Sequence, residues 1–147
     1  MSILKIMAMV LLSLLLLSTN AQAETLTNSD KASSTGVQPL AVYQEALDYL
    51  LGRNGKPRSA EKAAVLFKSL AEQNWSSAQH MLGNLYFKGK GVEKNNLLAY
   101  KWLSIASRNN IHLAEAIYNK RKLLQSKLSI NHLQQVETWI EDWQPSQ

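Results

Sequence analysis

The three histidines are the side chains of this sequence best suited to bind a metal ion, and their spacing argues against such a site. His80, His112 and His132 lie on separate predicted helices, and no two are four residues apart as in the zinc motif H-E-x-x-H. The sequence has no P-loop, no G-x-S-x-G serine motif and no cysteine. We therefore predict that the protein is not an enzyme and holds no metal ion or cofactor.

Two groups of basic residues could instead attract an anion. Lys88, Lys90 and Lys94 surround a glycine-rich turn, and residues 120–122 read Lys-Arg-Lys. Their summed field would favour an anionic glycan or a lipid headgroup. The formal net charge of +5 on 147 residues is modest, so an ordinary solvated surface is the favoured interpretation. We expect no nucleic acid partner, because aromatic residues do not alternate with the lysines as base-stacking platforms would.

The four tryptophans could stack on a sugar ring, but two of them have a structural explanation. Trp102 and Trp143 fall on apolar faces of predicted helices, which favours burial in the core. Trp75 lies at a predicted turn between helices, and the pattern assigns no role to Trp75 or Trp139.

The helices that would position these side chains are clearest at residues 78–114, where two apolar-periodic segments flank a glycine-rich turn. Gly83 lies on the first apolar face. A glycine inside a helix costs about 1 kcal/mol relative to alanine, so we expect a neighbouring backbone to come close there. The turn at residues 89–91 ends the first helix, and Asn95 is a suitable N-cap for the second. The apolar positions of this hairpin are Ala78, Leu82, Tyr86, Ala99, Trp102 and Ala106.

One hairpin cannot bury its apolar face alone, and the sequence repeats this hairpin at an offset of 36 residues. A third unit begins at Ala114 but loses the pattern, since Asn119 and Lys122 replace its glycine and tyrosine. About two and a half units predict an all-α fold, a short α-solenoid of antiparallel helix hairpins. The matching pairs are Val42 with Ala78, Ala46 with Leu82, Gly55 with Gly91, Ala63 with Ala99, Leu66 with Trp102 and Leu70 with Ala106.

The remaining helices are predicted at residues 40–51, 60–73, 111–125 and 129–143, with Ser59 and Ser129 as N-caps. The last of them has one apolar and one polar face, as expected of a C-terminal capping helix that closes a solenoid. Its apolar stripe is Ile130, Leu133, Val136, Ile140 and Trp143.

The central unit fits the pattern A-x3-L-G-x2-Y-x2-G-x-G-V-x2-[DN]-x3-A-x2-W-x3-A at eleven positions between Ala78 and Ala106. With this pattern, residues 42–118 resemble the Sel1-like repeat family, which is related to the tetratricopeptide repeats. The first unit departs from the pattern, because Leu47 and Arg53 replace two glycines and Pro57 follows Gly55. The resemblance implies a binding scaffold that holds partner proteins and is not an enzyme.

The resemblance also implies where a partner would bind, on a concave wall built from the first helix of each hairpin. Amides and a carboxylate there could pair with backbone groups, an aromatic ring could contact a side chain, and lysines could contact an acidic group. The alternative for each residue is a solvated helix face. The partner-facing positions of the family fall on His80, Asn84, Phe87 and Lys88, and the 36-residue offset adds Gln44, Asp48 and Lys120.

Residues 1–23 have the features of a secretory signal peptide. Lys5 precedes an apolar run at residues 6–17, and residues 21–23 form an A-x-A cleavage site. The apolar run is shorter than the about 20 residues that span a bilayer, so an uncleaved membrane anchor is the less favoured alternative. Cleavage near Ala23 would place the protein in the periplasm or outside the cell.

Residues 24–38 are rich in serine, threonine and asparagine and are predicted to be a flexible leader, followed by the repeat domain at residues 39–147. The leading hypothesis is a non-enzymatic protein–protein interaction scaffold of the bacterial periplasm or envelope. The alternative is a binder of anionic glycans or lipid headgroups through the two basic groups, whose binding would weaken steeply with salt.

Overall fold

The structure is a computed structural model that describes residues 38–146, and this range contains six helices and no strand. No helix in it is long and apolar enough to cross a membrane. The predicted signal peptide lies outside the described residues, as does the predicted leader apart from Gln38. The helices are α1 (Pro39–Leu51), α2 (Ala60–Glu72), α3 (Ser76–Lys88), α4 (Asn96–Asn109), α5 (Ile111–Gln125) and α6 (Ile130–Glu141).

Polar side chains cap the first turns of four helices. Ser59, Asn95 and Ser129 each accept a hydrogen bond from the backbone N–H three residues further on, as predicted. Asn110 caps α5 by accepting from the backbone N–H of His112, two residues further on, which the sequence pattern did not indicate. Each cap of this kind stabilises a helix by about 1 kcal/mol. The predicted ends of α1, α2 and α5 lie within one residue of the observed ones.

The helices pair into hairpins that stack in chain order. Helix α1 packs on α2, α3 packs on α4, and the contact between α2 and α3 joins the two hairpins. Helices α5 and α6 both pack on α4. This arrangement is the predicted α-solenoid, closed by α6. The largest fully buried apolar side chains, drawn from five of the six helices, are Phe67, Leu70, Leu82, Leu103, Ile105, Ile117, Leu124 and Val136.

Residues 36 positions apart occupy equivalent sites in the first two hairpins. Phe67 and Leu103 are both fully buried, each on the second helix of its hairpin. Gly83 confirms the expected close approach, because a Cβ at this position would lie 2.8 Å from Cγ and 3.2 Å from the backbone nitrogen of Leu103. The missing side chain therefore lets α3 and α4 approach each other closely.

The first hairpin closes with a different turn from the second. Helix α1 ends at Leu51, and Gly52 takes the left-handed conformation (φ +69°) that Gly89 takes after α3. These two glycines are 37 residues apart, whereas α2 and α4 begin 36 residues apart. The first turn is therefore one residue longer. Arg53 can replace the family glycine because the C-cap has moved to the preceding residue.

The third unit keeps the helices but not the register of the first two. Tyr118 stands at the position of the buried Leu82, yet it is 59% exposed, and the neighbouring Ile117 is buried instead. In α6, Val136 and Ile140 are buried as predicted, but Ile130 is 75% exposed and does not belong to the apolar stripe. Helix α6 ends at Glu141, two residues before the predicted end at about Trp143.

Candidate partner-binding surface

Five of the seven predicted partner-facing residues lie on α3 and α5. Lys120 of α5 donates a hydrogen bond from Nζ to Oδ1 of Asn84 on α3, and the same nitrogen lies 5.8 Å from the centroid of the Phe87 ring. The charge of Lys120 lowers the pKa of His80, and the charge of Lys88 lowers the pKa of Lys120, so both residues lie near Lys120. We call these five residues the α3–α5 surface: His80, Asn84, Phe87, Lys88 and Lys120.

The contact between Asn84 and Lys120 follows from the repeat geometry. The two residues are 36 positions apart, so they occupy the same place on the first helices of successive units. Their hydrogen bond links the first helices of these two units, as expected of the wall of a solenoid. The side chains of His80, Asn84, Phe87 and Lys120 are half-buried, whereas Lys88 is exposed at the end of α3.

The α3–α5 surface carries positive charge in a partly desolvated setting. Burial lowers the pKa of the Lys120 ammonium, and the positive charge of Lys88 lowers it further. Burial, followed by the charge of Lys120, lowers the pKa of His80 from its ordinary value of 6.5. Because the pKa of His80 is lowered from 6.5, its imidazole is mainly neutral at pH 7.

The other two predicted residues, Gln44 and Asp48, lie on α1 and line a separate cavity of about 480 Å³. The carboxylate of Asp48 accepts hydrogen bonds from the amide of Asn54, with 3.0 Å to each oxygen, and lies 3.9 Å from Nε of Arg53. The Asp48 carboxylate thus already interacts with Arg53 and Asn54, in the turn that follows α1. A role for Gln44 and Asp48 in partner binding stays a prediction.

The basic run at residues 120–122 does not form one patch. Consecutive residues on a helix point about 100° apart, so Lys120 and Arg121 contact different helices. Arg121 donates hydrogen bonds to the hydroxyls of Ser104 and Ser107 at 3.0 and 3.1 Å. Its guanidinium also lies 5.6 Å from the ring centroid of Tyr100. Arg121 therefore joins α5 to α4, a role that the sequence pattern did not indicate.

Three of the four tryptophans pack against other aromatic rings of the protein. Trp102 is buried and makes an edge-to-face contact with Trp143 at 6.3 Å between ring centroids, as expected of core residues. Trp75 packs on Tyr43 at 5.5 Å. Trp139 is 37% exposed, with the ammonium of Lys101 located 5.5 Å from its ring centroid. Within residues 38–146, no group of three or more histidine, aspartate or glutamate side chains could hold a metal ion.

Stacked antiparallel helix hairpins with a capping helix define an α-solenoid repeat protein. The family model of the Sel1 repeat matches residues 39–75 and 76–111. The chain therefore belongs to the Sel1-like repeat family through these two units, which confirms the resemblance seen in the sequence. Repeats of this family generally serve as protein–protein interaction scaffolds and are typically not enzymes.

A solved structure supports the same assignment. It is the crystal structure of a protective antigen present in uropathogenic Escherichia coli strains, described as displaying an SLR (Sel1-like repeat) fold. The two chains are 30% identical with a TM-score of 0.63, over 72% of this chain and 22% of the antigen. This chain thus spans about a fifth of the antigen's length. No curated protein sequence matches this chain significantly.

Proposed function

We propose that this protein is an exported, non-enzymatic interaction module that docks a protein partner on the α3–α5 surface. The observation that carries this proposal is the contact of Lys120 with both Asn84 and Phe87. Residues that the repeat pattern assigns to partner binding, on two successive units, thereby form one continuous surface. Solenoids commonly bind extended peptides along such a wall of first helices.

The chemistry of the α3–α5 surface suits a peptide. The amide of Asn84 can pair with backbone or side-chain groups, and the half-buried ring of Phe87 offers apolar contact. The lysines add positive charge to these neutral groups. None of the five residues forms a nucleophile–base pair in the structure, which supports a binding role.

Export is part of the proposal and rests on the sequence. Lys5, the apolar run at residues 6–17 and the A-x-A site at residues 21–23 have the order and lengths of a cleavable secretory signal. We therefore place the mature protein in the periplasm or outside the cell, with its first residue near Glu24. A partner would then be a protein of the cell envelope or the exterior.

The second candidate, an anionic glycan or lipid headgroup, receives less support. Of the six basic residues that suggested it, only Lys88 and Lys120 belong to the α3–α5 surface. Arg121 is engaged with α4 through Ser104 and Ser107. Arg121 and Lys122 line another cavity together with Tyr100 and Tyr118, so the basic residues of α5 are divided between two surfaces.

Replacing Asn84 and Lys88 together by alanine is expected to reduce partner capture at least tenfold, because the change removes an amide and a charge from the centre and edge of the surface. A tenfold loss corresponds to about 1.4 kcal/mol of binding free energy. Capture is measured by chemical cross-linking and pull-down from the envelope fraction, with helicity followed by circular dichroism.

The matched control replaces Asn131 and Lys127, an exposed asparagine and lysine elsewhere on the chain, by alanine. The control should capture the partner as well as the unmodified protein, and both variants should keep their helicity. Undiminished capture by the Asn84→Ala, Lys88→Ala variant would refute the assignment of the docking surface.

A further inference from the structure

A cavity of about 440 Å³ lies between α4, α6 and the residues that follow α6. Its volume falls in the range of about 300–1,000 Å³ that is typical of small-molecule sites in proteins. None of its lining residues belongs to the α3–α5 surface. We call it the α4–α6 cavity, and it is lined by Leu98, Lys101, Trp139, Asp142, Trp143 and Gln144.

Two indole rings line the α4–α6 cavity. Trp139 is 37% exposed, so its side chain is accessible to a ligand, whereas Trp143 is half-buried and packs against Trp102. The ammonium of Lys101 lies 5.4 Å from the ring centroid of Trp102 and 5.5 Å from that of Trp139. These cation–π contacts join the Trp139 side chain to α4. An aromatic ring held in this way offers an apolar platform that loses little entropy when a ligand binds.

The polar side chains of the α4–α6 cavity supply both hydrogen-bond donors and acceptors. An ammonium only donates, a carboxylate only accepts, and an amide does both, and the cavity contains one of each in Lys101, Asp142 and Gln144. None of the three takes part in the ion pairs of residues 38–146. Burial lowers the pKa of the half-buried Lys101 ammonium, so a hydrogen bond from a ligand would offset part of its lost hydration.

We propose that the α4–α6 cavity binds an uncharged saccharide, with one sugar ring stacked on Trp139. The C–H groups on one face of a sugar ring pack against the flat face of an indole, while its hydroxyl groups both donate and accept hydrogen bonds. Lys101 can donate to a hydroxyl oxygen, and the carboxylate of Asp142 can accept from a hydroxyl group. The amide of Gln144 can do either. The site lies apart from the docking surface of the proposed function and does not depend on it.

The charges of the α4–α6 cavity favour an uncharged saccharide over other ligands. Lys101 and Asp142 carry opposite charges, so an anion attracted by the ammonium would also meet a carboxylate. Glu72 adds a second negative charge near Lys101, where it raises the pKa that burial lowers. A purely apolar ligand would cover the ammonium and the carboxylate without satisfying their hydrogen bonds, at a cost in free energy. Hydroxyl groups pair with both charges.

A glycan array followed by isothermal titration calorimetry tests this inference. The array carries neutral glycans built from hexoses and N-acetylhexosamines next to glycans that contain uronic acids, and the neutral glycan that binds most strongly is then titrated in solution. The proteins compared are the unmodified chain, Trp139→Ala, Asp142→Asn and Tyr118→Ala. Tyr118 is the matched control, an aromatic residue of α5 that is 59% exposed and outside the cavity. Circular dichroism verifies that each variant is folded.

We expect the unmodified protein and Tyr118→Ala to bind a neutral glycan with the same dissociation constant. Trp139→Ala should bind it at least about tenfold more weakly, because the stacking platform is lost. Asp142→Asn should bind it about fivefold more weakly, because a charged acceptor becomes a neutral one. The latter changes only an exposed side chain, so it tests the cavity even if Trp139→Ala is destabilised.

Three results would overturn the inference. The first is the absence of neutral-glycan binding by the unmodified protein, and the second is undiminished binding by both Trp139→Ala and Asp142→Asn. The third is a preference for uronic acids that weakens steeply with salt, which would favour the second candidate function instead. The variant with Asn84→Ala and Lys88→Ala should bind the neutral glycan normally, because both residues lie outside the cavity.

Discussion

Replacing Gly91 by alanine is expected to destabilise the repeat domain by about 4 kcal/mol or more, a loss found only for severe packing defects. Gly91 has a positive φ of +71°, and a Cβ added there would lie 2.2 Å from the backbone carbon and oxygen of Ala60. Ala60 begins α2, so the turn between α3 and α4 packs directly on the first hairpin. Neither backbone can move without separating the two units.

Gly55 provides a matched control for this prediction. It occupies the same repeat position with a similar φ of +74°, but no atom lies within 4 Å of its added Cβ. Gly55→Ala should therefore cost only the left-handed strain of about 1 kcal/mol. Urea unfolding followed by circular dichroism measures both variants. Equal effects at the two positions would show that the turn of the second unit does not pack on the first.

Replacing Trp102 by alanine is expected to lower the free energy of unfolding by about 3–5 kcal/mol, the usual loss for a large buried aromatic side chain. Trp102 is 6% exposed on α4 and packs against Trp143, which follows the capping helix. The substitution leaves a cavity at the point where the second hairpin meets the C-terminal cap. Denaturant unfolding monitored by far-ultraviolet circular dichroism measures the change.

Trp139 is the control for the size of the side chain. Because Trp139 is partly exposed and the ammonium of Lys101 lies near its ring, the substitution Trp139→Ala should cost about 1 kcal/mol or less. A loss at Trp102 that is no greater than the loss at Trp139 would mean that the apolar stripe of α4 is not the core of the solenoid.

Much of the fold could be predicted because the same pattern of apolar residues and glycines occurs in two successive hairpins. The cost of a glycine within a helix indicated the close approach at Gly83, and the contact with Leu103 confirms it. The side chains that cap helices were also readable, since Ser59 and Asn95 precede apolar-periodic runs. Such features depend on local chemistry and spacing, which the sequence contains directly.

Other features depend on tertiary packing and left no local signal. Helix α5 turns so that Ile117 rather than Tyr118 enters the core, although both residues are apolar enough for burial. Gln79 is fully buried because its amide donates to the backbone oxygen of Ala71 and to Oδ1 of Asn74. A glutamine on α3 gives no indication of this role in the sequence, because its partners lie across the turn between hairpins.

The candidate surface, like the fold, could be predicted in part. The 36-residue offset assigned Asn84 and Lys120 to the same repeat position, and the structure places them in contact. The separation of Arg121 from Lys120 was not recognised, because a run of basic residues looks like one patch until the helix directs each side chain. The local partners of Asp48 were also missed, because Asn54 reaches it only through the left-handed residues of the longer first turn.

Site-specific photo-cross-linking is the most direct test of the central claim that the protein docks a partner on the α3–α5 surface. A photoreactive phenylalanine derivative is placed at Phe87 or, as control, at Val65, which is 69% exposed on α2 and outside that surface. Irradiation of producing cells should yield a discrete protein adduct from position 87 and none from position 65. The same adduct from both positions, or an adduct from position 65 alone, would contradict this account.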